Sequence, residues 1–142
     1  HPQHRRQRQM CIRDSDSGVL IKNRPQAEKK PLSSMSPLII FDNNKNFYMT
    51  VGSPGGKAII SYVFKSLIST LYLNKNIERA INEPNYIKIK DKTFVETDSL
   101  RDIVKQNALK RNLTSGLAII IKKKNYFEAA ADSRRDGTVR GN

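Results

Sequence analysis

A chain of 142 residues with 37% hydrophobic and 7% aromatic content has room for one domain with a core. Its net charge of +13 raises nucleic acid or an anionic surface as a partner class, yet the lysines lie scattered among acids (KNKN, IKIKDK, IIIKKKN). Such a Lys-, Asn- and Ile-rich texture is what AT-rich codons give any protein. No run approaches the ~18–20 apolar residues of a membrane-spanning helix, and a single cysteine excludes an internal disulfide and a cysteine-based metal site.

Residues 1–15 (HPQHRRQRQMCIRDS) hold both histidines, the cysteine and four arginines. Arg5 to Asp14 match, residue for residue, one reading frame of a DNA string that resembles a transposase-based sequencing-library adapter. The leftover bases begin a serine codon at Ser15. This stretch is therefore expected to be adapter-derived and to carry no structure. Without its four arginines and one aspartate the net charge falls from +13 to +10. Every imidazole and the only thiol go with it.

From Asp16 to Lys30 the polar sequence DSGVLIKNRPQAEKK reads as a loop or linker. The texture changes at Pro31. SPLIIFD (Ser36 to Asp42) and FYMTVG (Phe47 to Gly52), joined by NNKN, predict a β-hairpin. After SPGG, the residues Ile59, Ile60, Val63, Phe64, Leu67, Ile68 and Leu71 recur at spacings of three and four, predicting a helix with one wide apolar face. NIERAIN predicts a short helix capped by Asn76 and stopped before Pro84. YIKIK and TFVET around DK predict a second hairpin. TDSLRDIVKQNALKR predicts a helix with Thr97 or Ser99 as cap. GLAIIIKK and YFEAAAD complete a third hairpin across Lys123 to Asn125. The order β-β-α-α-β-β-α-β-β implies an α+β fold, mostly antiparallel sheet flanked by helices.

Two segments have the composition of a site. KKPLSSMSP (Lys29 to Pro37) sets adjacent hydroxyls, Ser33 and Ser34, between prolines ahead of a strand, where side-chain and backbone donors can converge on a carboxylate. By composition alone it reads first as a serine-rich turn before a strand. VGSPGGKAII (Val51 to Ile60) runs a strand through Pro-Gly-Gly straight into a helix. Glycines there let backbone N–H groups approach a ligand, and the helix start favours negative charge. Such donors suit the oxyanion of a tetrahedral intermediate. The spacing is not that of a P-loop.

PLSSMSP followed about twenty residues later by GSPGG, with DSRRDG near the end, resembles the C-terminal part of the small subunit of the γ-glutamyltransferases, or glutathione hydrolases. The resemblance covers about Pro31 to Gly141. It implies an N-terminal-nucleophile hydrolase, a partial αββα sandwich that matures by cutting itself into two subunits and uses no cofactor or metal. Ser33 and Ser34 would then hold the α-carboxylate of a γ-glutamyl group, and Gly55 and Gly56 would form the oxyanion hole. A threonine freed as a new N-terminus would be the nucleophile, with its own α-amine as base. Glutathione or another γ-glutamyl compound would be the donor, and water or an amino acid the acceptor. The family also implies a periplasmic or secreted enzyme whose targeting signal lies upstream.

Two departures bear on this expectation. Ser133 replaces the proline of the family's Asp-Pro-Arg, leaving Asp132 and Arg134 as a structural pair rather than catalytic groups. The family's Thr-Thr-His segment is missing from this sequence, so the chain is expected to be a fragment, inert without the large subunit and the first part of the small one. A small basic nucleic-acid-binding module is the alternative. Little aromatic–basic interleaving supports it.

Overall fold

The computed structural model describes residues 34–104 and 107–141. The chain divides into two compact units, residues 1–34 and 35–142, and the second carries every element below. The adapter-like stretch, the linker to Lys30 and Ser33 lie outside the described residues.

Among the described residues seven strands and three α-helices follow in chain order: β1 (Leu38–Phe41), β2 (Phe47–Gly52), α1 (Ile59–Leu67), α2 (Ile77–Asn82), β3 (Tyr86–Ile89), β4 (Lys92–Val95), α3 (Asp98–Val104), β5 (Ala108–Lys110), β6 (Ala118–Lys122) and β7 (Phe127–Ala131). The first hairpin closes through an aspartate turn. Asp42 Oδ1 accepts from the N–H groups of Asn44 and Asn46, both at 2.8 Å, and Lys45 takes a φ of 65°. Sheet A has the order β1-β2-β6-β7, antiparallel throughout, with Val51 opposite Leu38 and Ile119, and Ile119 opposite Ala130.

Because side chains alternate along a strand, this register gathers Met49, Val51, Ile119, Ile121 and Ala130 on one buried face. They pack with Ile59, Tyr62 and Val63 of α1, Ile77 and Ile81 of α2, and Leu113 and Leu117 ahead of β6. The opposite face presents Ile39, Tyr48, Ile120 and Phe127, all exposed. One sheet face covered by helices and one apolar face left open is half of a sandwich.

The helical expectations hold in part. Asn76 caps α2, its Oδ1 accepting from the Glu78 N–H at 2.8 Å. The helix expected after Gly56 begins as a 3-10 turn (Gly56–Ala58), continues as α1 and ends as a π turn (Ile68–Tyr72). Thr70 Oγ1 donates back to the Ser66 carbonyl at 2.7 Å and Ser66 Oγ to Val63 at 2.8 Å, the hydroxyl back-bonding that loosens a helix. Its apolar face is split: Ile59 and Val63 are buried, while Ile60, Phe64, Ile68 and Leu71 are exposed.

One prediction is corrected. The helix expected over residues 97–111 stops at Val104, and Ala108–Lys110 is a strand. That strand pairs in parallel with β4, so sheet B (β3-β4-β5) is mixed, and this is the one parallel pair in a mostly antiparallel set among the described residues. The α3 segment is the crossover that a parallel pair requires. Thr97 remains at its start, with the Leu100 N–H on its Oγ1 at 3.4 Å.

Candidate active site

The end of β2 leads through Ser53 and Pro54 to the glycine pair. Gly55 has φ 143° and ψ 12°, and Gly56 has φ 56°, both in the region that side chains rarely adopt. Gly55 is doubly constrained: a Cβ there would sit 2.7 Å from Tyr62 Cε2. Around Gly56 the space is open. The Gly55 carbonyl accepts from the Ala58 N–H at 3.1 Å, closing the 3-10 turn. Among the described residues neither Gly55 nor Gly56 donates its own N–H to a partner. Two such amides at the start of a helix, the first beside a buried tyrosine ring, are groups that can hold an anion or a developing oxyanion.

Ser34 is the first described residue and is half-buried. Its neighbour Ser33 lies outside the described residues, so the geometry of the serine pair belongs to the functional proposal below.

Asp132 and Arg134 form the buried polar centre of the unit. Asp132 is 1% exposed. Its Oδ2 accepts from Ser115 Oγ and from the Leu117 N–H at 3.3 Å; its Oδ1 accepts from Arg134 N–H at 3.0 Å and Nη1 at 3.1 Å. Burial pushes this carboxyl upward, but those four donors outweigh it and hold it below the usual range. Arg134 makes a fork to Glu96, Nε to Oε1 at 2.6 Å and Nη2 to Oε2 at 3.0 Å. It also donates to the carbonyls of Ile81, Asn82 and Glu83. Arg134 therefore satisfies carbonyls that the end of α2 leaves open and ties them to both sheets. Burial opposes its charge, and the Glu96 carboxylate more than restores it.

Lys65 joins the same centre. It is 8% exposed, donating to the Ile81 carbonyl at 3.2 Å and the Glu83 carbonyl at 2.6 Å. Burial, and then the neighbouring Arg134 charge, push its pKa down to about 8.

The sequence had no signal for several of these residues. Glu96 lies in a predicted strand, and Tyr62 falls outside the predicted apolar face of its helix. Ser115 and Gly116 sit in NLTSG, which reads only as a turn. Among the described residues no group of His, Cys, Asp and Glu is disposed to hold a metal ion, and no helix is long and apolar enough to cross a membrane.

An α+β half-sandwich with a strand–Gly-Gly–helix junction is a scaffold on which an anion cradle can be built. Comparison with known proteins gives that scaffold its family. The family model for gamma-glutamyltranspeptidase matches residues 12–141, and the chain belongs to the gamma-glutamyltranspeptidase family.

The glutathione hydrolase proenzyme of Bacillus subtilis strain 168 is 32% identical over 129 residues, covering 84% of this chain and 22% of its own length. That of Escherichia coli K12 is 31% identical over 115 residues, covering 75% and 20%. This chain thus spans about a fifth of the length of these curated relatives. Among solved structures, a mutant of the Helicobacter pylori gamma-glutamyltranspeptidase superposes with a TM-score of 0.68 at 29% identity, over 81% of this chain and 68% of that one. The CapD transpeptidase of Bacillus anthracis, at 22% identity and a TM-score of 0.69 over 84% and 78% of the two chains, shares the fold.

Proposed function

We propose that this chain is part of an enzyme that transfers the γ-glutamyl group of glutathione and other γ-glutamyl amides to water or an amino acid. The observation that carries this reading is the pair of amides at Gly55 and Gly56, without a partner among the described residues and held at positive φ ahead of a helix. In the reaction a threonine Oγ attacks the γ-carbonyl carbon and its proton passes to that threonine's α-amine. The carbonyl oxygen becomes an oxyanion and accepts from the two glycine N–H groups. The C–N bond then breaks, and the amine leaves with the proton, giving a γ-glutamyl ester of the threonine. Water or an amino acid attacks that ester through the same oxyanion, releasing glutamate or a new γ-glutamyl amide. Fixed donors aimed at such an oxygen are worth about 3 kcal/mol of barrier each.

The nucleophile is not in this sequence, which has no Thr-His pair. It is supplied by the rest of the protein, cut from a proenzyme, together with the large subunit's groups for the substrate carboxylate. Ser33 and Ser34 contact that α-carboxylate, and Asp132 and Arg134 are structural. The family points to the periplasm or the cell exterior. The exposed face of sheet A, with Ile39, Tyr48, Ile120 and Phe127, is the side that a second sheet layer would cover.

The test uses the complete, matured protein from the gene that contains this chain, with glutathione and a γ-glutamyl anilide as substrates. Release of glutamate and of the aniline supports the reading, and no release from either overturns it. Replacing Ser33 and Ser34 together with alanine should raise KM about tenfold or more, as loss of charge-assisted hydrogen bonds does. An unchanged KM would remove only the serine assignment.

A further inference from the structure

We propose that Gly116 is a positioning residue for the Gly55–Gly56 pair, the contact through which the buried Asp132 centre sets the location of the two amides. This rests on the functional reading above and extends it to a residue outside the site.

Asp132 clamps the segment on either side of Gly116. Its carboxylate accepts from Ser115 Oγ and the Leu117 N–H, and its own N–H donates to the Leu117 carbonyl at 2.8 Å. Arg135 holds the residue before, with Nε and Nη2 donating to the Thr114 carbonyl at 3.3 and 3.1 Å. Gly116 is thereby fixed, and it meets the approach to the glycine pair in two ways. Its N–H donates to Ser53 Oγ at 3.2 Å. It also lies so close to the Pro54 ring that a Cβ would stand 2.7 Å from Pro54 Cγ and 3.0 Å from Cδ, and 2.8 Å from Arg135 Cδ.

Gly116 is absent from the positive-φ residues, so space and not backbone conformation demands a glycine here. Pro54 is one peptide bond from Gly55, and its ring fixes its own φ. A displaced Pro54 therefore displaces the Gly55 amide. On the other side Tyr62 blocks any relaxation of Gly55 inward. The amide pair is held between a tyrosine ring and a proline ring, and Gly116 sets the second. Because oxyanion donors act only when aimed within a fraction of an ångström, a shift of the ring is read out in kcat.

The experiment compares three variants in the complete protein: Gly116→Ala, Pro54→Ala with Gly116→Ala, and Ser53→Ala. Each is followed by amide hydrogen exchange of the segment from Gly52 to Ala58 and by steady-state kinetics on a γ-glutamyl anilide. Gly116→Ala should raise exchange at Ala58, whose N–H is bonded to the Gly55 carbonyl, about tenfold and lower kcat about 100-fold, with KM within about threefold. Removing the proline ring leaves the new methyl only the flexible Arg135 side chain to displace, so the double variant should regain at least tenfold of the lost kcat. General destabilisation would instead make the double variant worse. Ser53→Ala, which adds no atoms, keeps the test open should Gly116→Ala fail to fold. It should lower kcat about three- to tenfold and raise exchange over the same segment. Unchanged exchange and kcat in Gly116→Ala, or in Ser53→Ala where the other does not fold, overturns the proposal, as does a double variant no better than the single one. A complete protein with no γ-glutamyl activity whose Ala58 exchange still responds to Gly116 would refute the functional reading and leave the positioning role standing.

Discussion

The two glycines of the candidate oxyanion hole should respond very differently to the same substitution. At Gly55, alanine would have to adopt φ 143°, ψ 12°, and its Cβ would stand 2.7 Å from the Tyr62 ring, which is itself buried. Backbone strain of that kind costs about 1–3 kcal/mol and forced overpacking about 1–3 more, so Gly55→Ala should lose about 2–6 kcal/mol. At Gly56 the φ of 56° is the ordinary left-handed region and nothing lies within 4 Å of a Cβ, so Gly56→Ala should lose only about 1 kcal/mol. Denaturant titration of the complete protein measures both. Tyr62→Leu in the Gly55→Ala background removes the clash but not the strain, and should return about half of the loss. Equal losses at the two glycines, or no return with Tyr62→Leu, would refute the reasoning that Tyr62 is the floor beneath Gly55.

Further outcomes follow from the charged centre and from the fragmentary site. Asp132→Ala leaves Arg134 and the Ser115 hydroxyl short of a buried acceptor and should cost about 3–5 kcal/mol in denaturant titration. Since the Asp132 carboxyl is held below its ordinary value of 3.8, its contribution is present above that pH and lost as pH falls below it; Asp132→Asn should flatten that part of the acid unfolding curve. Lys65 titrates near 8 in the folded protein against 10.5 when unfolded, so the unfolded chain binds the extra proton between those values and stability rises with pH across them. Relative to Lys65→Met, the wild-type protein should gain about 3 kcal/mol from pH 8 to pH 10.5, and parallel curves would show that Lys65 is not desolvated. The isolated chain should release no glutamate from glutathione and should show no salt-dependent gel shift with RNA; a shift that weakens steeply with salt would favour the nucleic-acid alternative.

Where a few neighbours decide the conformation, the sequence was enough. The alternation in FYMTVG and AIIIK, with NNKN between β1 and β2, determines both the hairpins and the buried side of sheet A. Asn76 was legible as a cap because a cap is a local bond. The fate of NALKR was not: Ile103, Val104 and Ala108 continue a helical spacing, and only pairing with β4 makes Ala108–Lys110 a strand. Ile60, Phe64 and Ile68 look like core by period and are exposed, since periodicity shows that a face is apolar but not what covers it. The glycine pair could be named from strand, Pro-Gly-Gly and helix in succession. Its surroundings could not, because Tyr62, Gly116 and Glu96 reach the site or its supports from 7 to 63 residues away through contacts that leave no local pattern.

The central claim is that this chain contributes the oxyanion cradle of a γ-glutamyl-transferring enzyme. Glutamate release from glutathione by the complete, matured protein tests it most directly, measured alongside a variant in which the Gly55–Gly56 amide linkage is replaced by an ester. That replacement removes the Gly56 N–H while keeping the Gly55 carbonyl as a weaker acceptor for Ala58, and the predicted result is release by the unaltered protein with kcat falling about 100-fold in the ester form. No release by the unaltered protein, or an ester form with undiminished kcat, would contradict it.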